Sequence, residues 1–236
     1  VTQMLSSFAD GAVSAAVDHL IGEAISREEI AFHSAASLSE GSGFFIIGMG
    51  KLGANELNYS SDIDLVAFYD ENRIGYTGAK TPQEFCSRLT RDLVKILQSR
   101  TPDGYVFRTD LRLRPDTGSS PLSISADAAE SYYEAFGQNW ERAALIKARI
   151  IAGDLSAGRD FLKRMTPFVW RKYLDFSAIN DIHSIKRQIH AQRGHSSVTV
   201  PGHNLKLGRG GIREIEFFTQ TQQLIAGGRD PSLRSP

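Results

Sequence analysis

The sequence predicts an α+β chain: a mixed sheet with flanking helices, followed by a C-terminal helical region. Three observations carry that prediction. Short runs of β-branched and aromatic residues at 44–47 and 63–69 have the length of strands rather than helices. Residues 81–99 place Phe85, Leu89, Leu93, Ile96 and Leu97 on one helical face, between the second run and a third, alternating stretch. After Pro121 the apolar spacing is helical almost to the end.

In chain order, residues 3–34 are alanine-rich, with Leu5, Phe8, Val13, Val17, Leu20, Ile21 and Ile25 near helical spacing, which predicts two packing helices. Gly41 and Gly43 punctuate the change to Phe44-Phe45-Ile46-Ile47, a buried strand, and a glycine-rich turn follows at once. Residues 63–69 form the second strand. Residues 105–114 alternate strictly and predict a third, closed by Pro115. Helices are expected at 125–136, 140–151, 158–173, 179–192 and 211–226, and the Gly-, Ser- and His-rich stretch 193–204 as the mobile loop. The division expected is a helical segment at 1–36, a catalytic domain at 37–150 and a truncated helical region at 151–236. A start at Val1 in apparent mid-helix and an end at Arg234-Ser235-Pro236 suggest a piece of a longer protein.

Composition excludes more than it identifies. With 236 residues and 41% hydrophobic content the chain can bury a sizeable core. Its 27 basic residues balance 27 acidic ones, so no global field argues for nucleic acid or an anionic membrane, and an anion site must come from local clustering. Cys86 is the only cysteine and reads as core; an internal disulfide is impossible, which fits a cytoplasmic location. No run of about 18 apolar residues suggests a membrane span.

Chemistry concentrates at Asp62 and Asp64, in the run Ser60-Ser61-Asp62-Ile63-Asp64-Leu65. Period-two geometry at a strand start points both carboxylates to one face, with Cα atoms roughly 6.5–7 Å apart. Two carboxylates there repel unless a cation neutralises them. Mg²⁺ takes one or two carboxylates completed by water and substrate phosphate, and paired ions about 3.5–4 Å apart clamp the attacking and leaving oxygens. Asp110 adds a third carboxylate, on a stretch whose parity places Arg108, Arg112 and Arg114 on its face. Taken alone, an Asp-x-Asp at a strand start is ordinary turn chemistry.

Its context is Gly48-Met49-Gly50-Lys51-Leu52-Gly53, whose glycines let the backbone approach a phosphate and whose Lys51 adds positive charge. The same letters fit a dinucleotide-binding fingerprint, with Asp70 standing 20 residues past Gly50. Length opposes that reading. Only nine residues, 54–62, separate Gly53 from the next strand, whereas a helical parallel crossover needs a dozen or more. The next strand is therefore expected to be adjacent and antiparallel. Lys51 also lacks the Gly-Lys-Ser/Thr setting of a P-loop.

Across positions 48–65, Gly-Met-Gly-Lys-Leu-Gly-Ala-Asn-Glu-Leu-Asn-Tyr-Ser-Ser-Asp-Ile-Asp-Leu, the chain resembles the glutamine synthetase adenylyltransferase family. The resemblance continues through 108–115, 140–149 and 205–217. It implies a polymerase β-like nucleotidyltransferase sheet, with the paired aspartates Asp62 and Asp64 on one strand and Asp110 on a neighbour as catalytic and metal residues. Such proteins carry two such modules, one removing AMP from glutamine synthetase and one attaching it. The wording at Tyr132-Tyr133-Glu134, Trp140-Glu141-Arg142, 208–214 and Gly227-Gly228-Arg229 is more similar to the N-terminal, adenylyl-removing module.

By this resemblance inorganic phosphate attacks the phosphorus joining AMP to a tyrosine of glutamine synthetase, releasing ADP, with Mg²⁺ or Mn²⁺ bound. Gly50, Lys51, Gly53 and Ser61 are the expected nucleotide contacts, with Arg112, Arg114, Lys147 and Arg149 as further phosphate contacts, the last two on the helix after Trp140. A PII-type signalling protein is the expected second partner. The alternatives are forward adenylylation with ATP and a non-catalytic module sensing nucleotide or partner. Lys206, Arg209 and Arg213 sit in a glycine-rich setting that reads as an anion nest or a helix entry. The six histidines show no ligand spacing, and Trp140 and Trp170 read as core.

Overall fold

The computed structural model describes residues 1–31, 37–172, 204–206, 208 and 210–235. The helix expected at 179–192 and nearly all of the loop expected at 193–204 lie outside the described residues. Two compact units are distinguished: Val1–Phe136 with Lys147–Met165, and Gly137–Ile146 with Thr166–Ser235.

The first unit is built on a five-stranded mixed sheet, so the α+β reading holds. β1 (Phe44–Met49) pairs antiparallel with β2 (Ile63–Tyr69), Phe44 opposite Tyr69 and Met49 opposite Asp64. The short link leaves no room for a crossover, and antiparallel pairing is the outcome. Its only helix is the single turn α2 (Gly50–Gly53). β3 (Thr109–Asp110) runs parallel to the start of β2, and β4 (Ser123–Ser125) parallel to its end. β5 (Arg149–Gly153) closes the other side, antiparallel to β1.

Both faces of the sheet are covered, which is why β1 is buried along its whole length. Phe44 and Ile46 of β1 and Ile63, Leu65, Ala67 and Tyr69 of β2 share one core with α1 (Thr2–Ser26) and α3 (Pro82–Gln98). Alternation sends Phe45 and Phe68 to the opposite face, where the Phe161 ring of α6 (Leu155–Val169) packs 5.8 and 4.7 Å from theirs. Asp64 shares that second face with Phe68 by parity. The buried Asp154 joins β1 to α6: one oxygen accepts from the Gly43 N–H at 3.1 Å, the other from the Ala157 N–H at 3.0 Å.

α3 starts on a capping box, with Thr81 and Glu84 satisfying each other's backbone N–H groups and Pro82 in its first turn. It buries Phe85, Cys86, Leu89 and Leu93. Cys86 is 0% exposed, and burial pushes its thiol far above the ordinary range. Cys86 should therefore be inert to an exposed-thiol reagent in the native protein and react at full stoichiometry only in denaturant.

Four elements differ from the sequence expectation. Residues 3–34 were expected as two helices; α1 runs unbroken from Thr2 to Ser26 and ends where Glu28 turns left-handed, at φ 57°. The third strand shrinks from 105–114 to Thr109–Asp110. Upstream, the N–H groups of Val106 and Phe107 both donate to Leu97 O at the end of α3. Downstream, the Asp110 carboxylate accepts from the Arg112 N–H and turns the chain. The helix expected at 140–151 stops at Leu145, because the β-branched Ile150 and Ile151 are recruited by the open edge of β1. β4 was not expected; the helix expected at 125–136 is α4 (Ala126–Phe136), and only Ser125 passes from it to the strand.

The second unit contains α5 (Asn139–Leu145), the last residues of α6 and α7 (Ile212–Ala226). No helix among the described residues is long and apolar enough to cross a membrane.

Candidate active site

Asp62 and Asp64 open β2 at the end of the sheet where β1 runs into the glycine turn. Met49 lies opposite Asp64 on one side, and Asp110 is its partner in the parallel register on the other. The strand pairing thus sets the second and third carboxylates side by side, on strands about 4.8 Å apart.

The glycine turn is fitted to these neighbours. Gly50 adopts φ +54°, and a Cβ there would stand 2.8 Å from Asp64 Oδ2. Gly53 meets a harder wall: a Cβ would lie 1.6 Å from Lys147 O and 2.6 Å from Gly48 O. Lys51 sits in the first turn of α2, half-buried, with no hydrogen bond or ion pair to its ammonium among the described residues. Ser61 donates its N–H to Asn58 O at 3.2 Å and directly precedes Asp62.

Arginines surround the carboxylates. Arg108 Nε donates to Asp62 Oδ1 at 2.5 Å, and its other nitrogens reach Tyr105 Oη at 2.8 Å and Ser60 O. Arg112 donates from Nε to both Asp110 oxygens, at 3.0 and 2.9 Å, although its side chain is 85% exposed against 16% for Asp110. The Arg112 guanidinium holds the Asp110 carboxyl below its usual range, so it is an anion at neutral pH. Arg112 meets Asp110 through a turn, because β3 ends at Asp110; the shared strand face expected for Arg108, Arg112 and Arg114 does not extend past it.

The other expected phosphate contacts lie in different settings. Arg114 donates to Leu111 O and Thr117 O, within its own loop. Lys147 follows α5 rather than lying on it, and its ammonium is 3.3 Å from Glu56. Arg149 begins β5 and is a clamp: it donates to both Asp10 oxygens at 2.7 and 3.1 Å, and to Leu52 O and Gly53 O. Arg149→Met should lower stability by about 2 kcal/mol, read as a shifted urea midpoint, since it removes charge-assisted bonds that tie α1 to the glycine turn. In the second unit the N–H groups of Gly210, Gly211, Ile212 and Arg213 go to Glu214, Gly208, Leu205 and Lys206. Those donors form a helix entry, not an open nest; Arg209 lies outside the described residues.

The donor set fits a hard divalent cation. Asp62 and Asp64 alone supply the two carboxylates that Mg²⁺ commonly takes from protein, and Asp110 is registered beside them. Among the described residues no three acidic, His or Cys side chains are already gathered at ligand spacing. Asp62 and Asp110 are turned toward Arg108 and Arg112, which serve as their counter-charges. Sequence reasoning left Arg108 out of the site, though its parity with Asp110 signalled it. Asp10 and Glu56 carried no signal, being brought near Arg149 and Lys147 by the fold alone.

A family model described as glutamate-ammonia ligase adenylyltransferase matches residues 1–164. The chain belongs to that family. A second model, described as PII-uridylyltransferase, matches residues 183–234. Among curated relatives of this adenylyltransferase family, the bifunctional glutamine synthetase adenylyltransferase/adenylyl-removing enzyme of Rhizobium meliloti (strain 1021) is 64% identical over 233 residues, 99% of this chain and 24% of that protein. The protein of the same name from Agrobacterium fabrum is 60% identical over 233 residues, again 99% and 24%. That from Brucella suis biovar 1 is 57% identical, with the same shares. The chain spans about a quarter of the length of these adenylyltransferase relatives.

Proposed function

We propose that the chain is a metal-dependent nucleotidyltransferase module that removes AMP from an adenylylated tyrosine of glutamine synthetase, with inorganic phosphate as acceptor. The observation that carries this reading is the end of the sheet where Asp62 and Asp64 open β2, Asp110 is registered against Asp64, and the glycine turn packs on the Asp64 carboxylate. The names of the relatives suggest the substrate. The catalytic domain is placed at 37–150, between a helical segment at 1–36 and a helical region at 151–236.

In this reading Asp62 and Asp64 hold Mg²⁺ or Mn²⁺, with Asp110 completing the set. The bound ion would neutralise charge on the phosphoryl oxygens and assist the leaving oxygen. Lys51, with Gly50, Gly53 and Ser61, faces the phosphates, and Arg112 has the exposure to reach them. An oxygen of inorganic phosphate attacks the AMP phosphorus, the bond to the tyrosine oxygen breaks, and that oxygen takes up a proton. The products are ADP and unmodified tyrosine. A phenol of pKa about 10 is a tolerable leaving group, and such transfer depends mainly on positioning and charge stabilisation. Arg114, Lys147 and Arg149 remain proposed phosphate contacts of this module; at present Arg114 donates to Leu111 O and Thr117 O, Lys147 pairs with Glu56 and Arg149 with Asp10.

Removal is favoured over attachment by the resemblance of 132–134, 140–142 and 208–214 to the adenylyl-removing module, since the relatives' name covers both activities. A PII-type regulator is the proposed second partner, in keeping with the family model matched at 183–234. The cytoplasm is the proposed location. Incubation with adenylylated glutamine synthetase, phosphate and Mg²⁺ should release ADP; incubation with unmodified synthetase and ATP should release no pyrophosphate. The reverse pattern would assign attachment, and neither product would favour the non-catalytic reading.

A further inference from the structure

The guanidinium of Arg108 is held at three points beside the β2 carboxylates. Nε donates to Asp62 Oδ1 at 2.5 Å, Nη1 donates to Tyr105 Oη at 2.8 Å, and Nη2 donates to the carbonyl of Ser60, a residue in the left-handed region at φ 54°. The guanidinium carbon also stands 5.9 Å from the centre of the Tyr105 ring. The backbone beneath is fixed. Arg108 O accepts from the Ile63 N–H at 2.9 Å, one residue past Asp62, and Thr109 is registered against Ile63. The tip stays in contact with water: the Arg108 side chain is 46% exposed and that of Asp62 51%.

Asp62 cannot serve two cations equally. An ion pair this exposed is weak, because water competes for both groups. A divalent cation on the same carboxylate is attracted more strongly and repels the guanidinium. Arg108 differs from Arg112 in what it keeps when the carboxylate is given up. Every guanidinium bond of Arg112 among the described residues goes to Asp110. Arg108 retains Tyr105 Oη and Ser60 O, so its guanidinium stays beside the site with Nε released. A tethered arginine with a released N–H suits a phosphate oxygen, which makes the stronger, charge-assisted kind of hydrogen bond.

We propose that Arg108 exchanges partners when a divalent ion binds: it gives up Asp62 and donates from Nε to an oxygen of the AMP phosphate, while Tyr105 and Ser60 keep its guanidinium in place. Arg108 thus competes with the metal when nucleotide is absent and strengthens nucleotide binding once the metal is bound. The inference rests on the reading of Asp62 as a metal residue. It does not depend on whether AMP is removed or attached, because the AMP phosphate is common to both directions.

Two equilibrium titrations test it, neither requiring turnover. Binding of Mn²⁺ alone is followed by loss of the free-ion electron paramagnetic resonance signal, and binding of AMP by calorimetry at saturating Mn²⁺. Arg108→Met should bind Mn²⁺ about threefold more tightly than the parent chain, since an exposed competing pair is lost. It should bind AMP about tenfold more weakly, since a charge-assisted donor is lost. The opposite signs separate this role from a structural one, because a site merely loosened by the substitution would bind both more weakly. Arg108→Lys keeps the charge but not the fork, so AMP binding should weaken while Mn²⁺ affinity stays close to that of the parent. The proposal is overturned if Arg108→Met binds Mn²⁺ no more tightly than the parent, or binds AMP as tightly. Should Arg108→Met fail to fold, Arg108→Lys with the AMP affinity of the parent overturns it. A parent chain that binds no Mn²⁺ would remove the metal reading and this inference together. A parent that binds Mn²⁺, with Arg108→Met shifting both affinities as stated, supports the inference even if no ADP is released, and that result would count against the removal reaction alone.

Discussion

Asp64→Asn is expected to lower kcat/KM for phosphate-dependent ADP release by about a thousandfold, roughly 4 kcal/mol of transition-state stabilisation, while the fold is retained. Asp64 is the residue at which three features meet: the antiparallel register with Met49, the parallel register with Asp110, and the Gly50 backbone held close to its carboxylate. Asparagine keeps the shape but removes the negative charge, so the loss reports the charge itself. A circular dichroism spectrum and urea midpoint matching the parent would separate this effect from misfolding.

The largest effect expected on stability is at Gly53. Gly53→Ala should cost about 3 kcal/mol, because the added methyl meets two backbone oxygens and not a movable side chain. Relief would require the Lys147 backbone to withdraw and so disturb the entry to β5. The same displacement would loosen Arg149, whose guanidinium donates to Leu52 O and Gly53 O. A lowered urea midpoint with an unchanged m-value is the expected signature. By contrast, Gly50 is constrained by its positive φ and by Asp64, so alanine there should reduce activity more than stability.

How much of this was legible in the sequence follows from what each element depends on. β1, β2 and α3 could be read because their patterns are local: a run of apolar residues, and a one-sided helix behind Thr81-Pro82. The antiparallel pairing of β1 and β2 followed from the nine-residue link alone. β3 and β5 could not be placed correctly. Residues 105–114 alternate like a strand, but Leu97 O captures Val106 and Phe107, and Asp110 turns the chain by binding Arg112. Residues 149–151 look helical after Trp140, and only the unsatisfied edge of β1 makes them part of a strand. The arginines show the same division. Arg108 and Arg112 were near Asp110 in sequence and remain near the carboxylates, whereas Arg149 met Asp10 across most of the first unit's sequence, a contact no local pattern encodes.

Arg142 shows the limit most clearly. In sequence it is one arginine in Trp140-Glu141-Arg142 at a helix start, where a solvated side chain is the ordinary expectation. Its burial over Phe168, with Nε and Nη1 lacking a hydrogen-bond partner among the described residues, emerges only from packing.

The central claim is that phosphate, rather than water or ATP, takes the AMP. It is tested most directly by supplying ³²P-labelled inorganic phosphate with adenylylated glutamine synthetase and Mg²⁺, and locating the label. The account predicts label in the β-phosphate of ADP, in step with loss of AMP from the tyrosine. Release of unlabelled AMP, or no release while ATP and unmodified synthetase yield pyrophosphate, would contradict it.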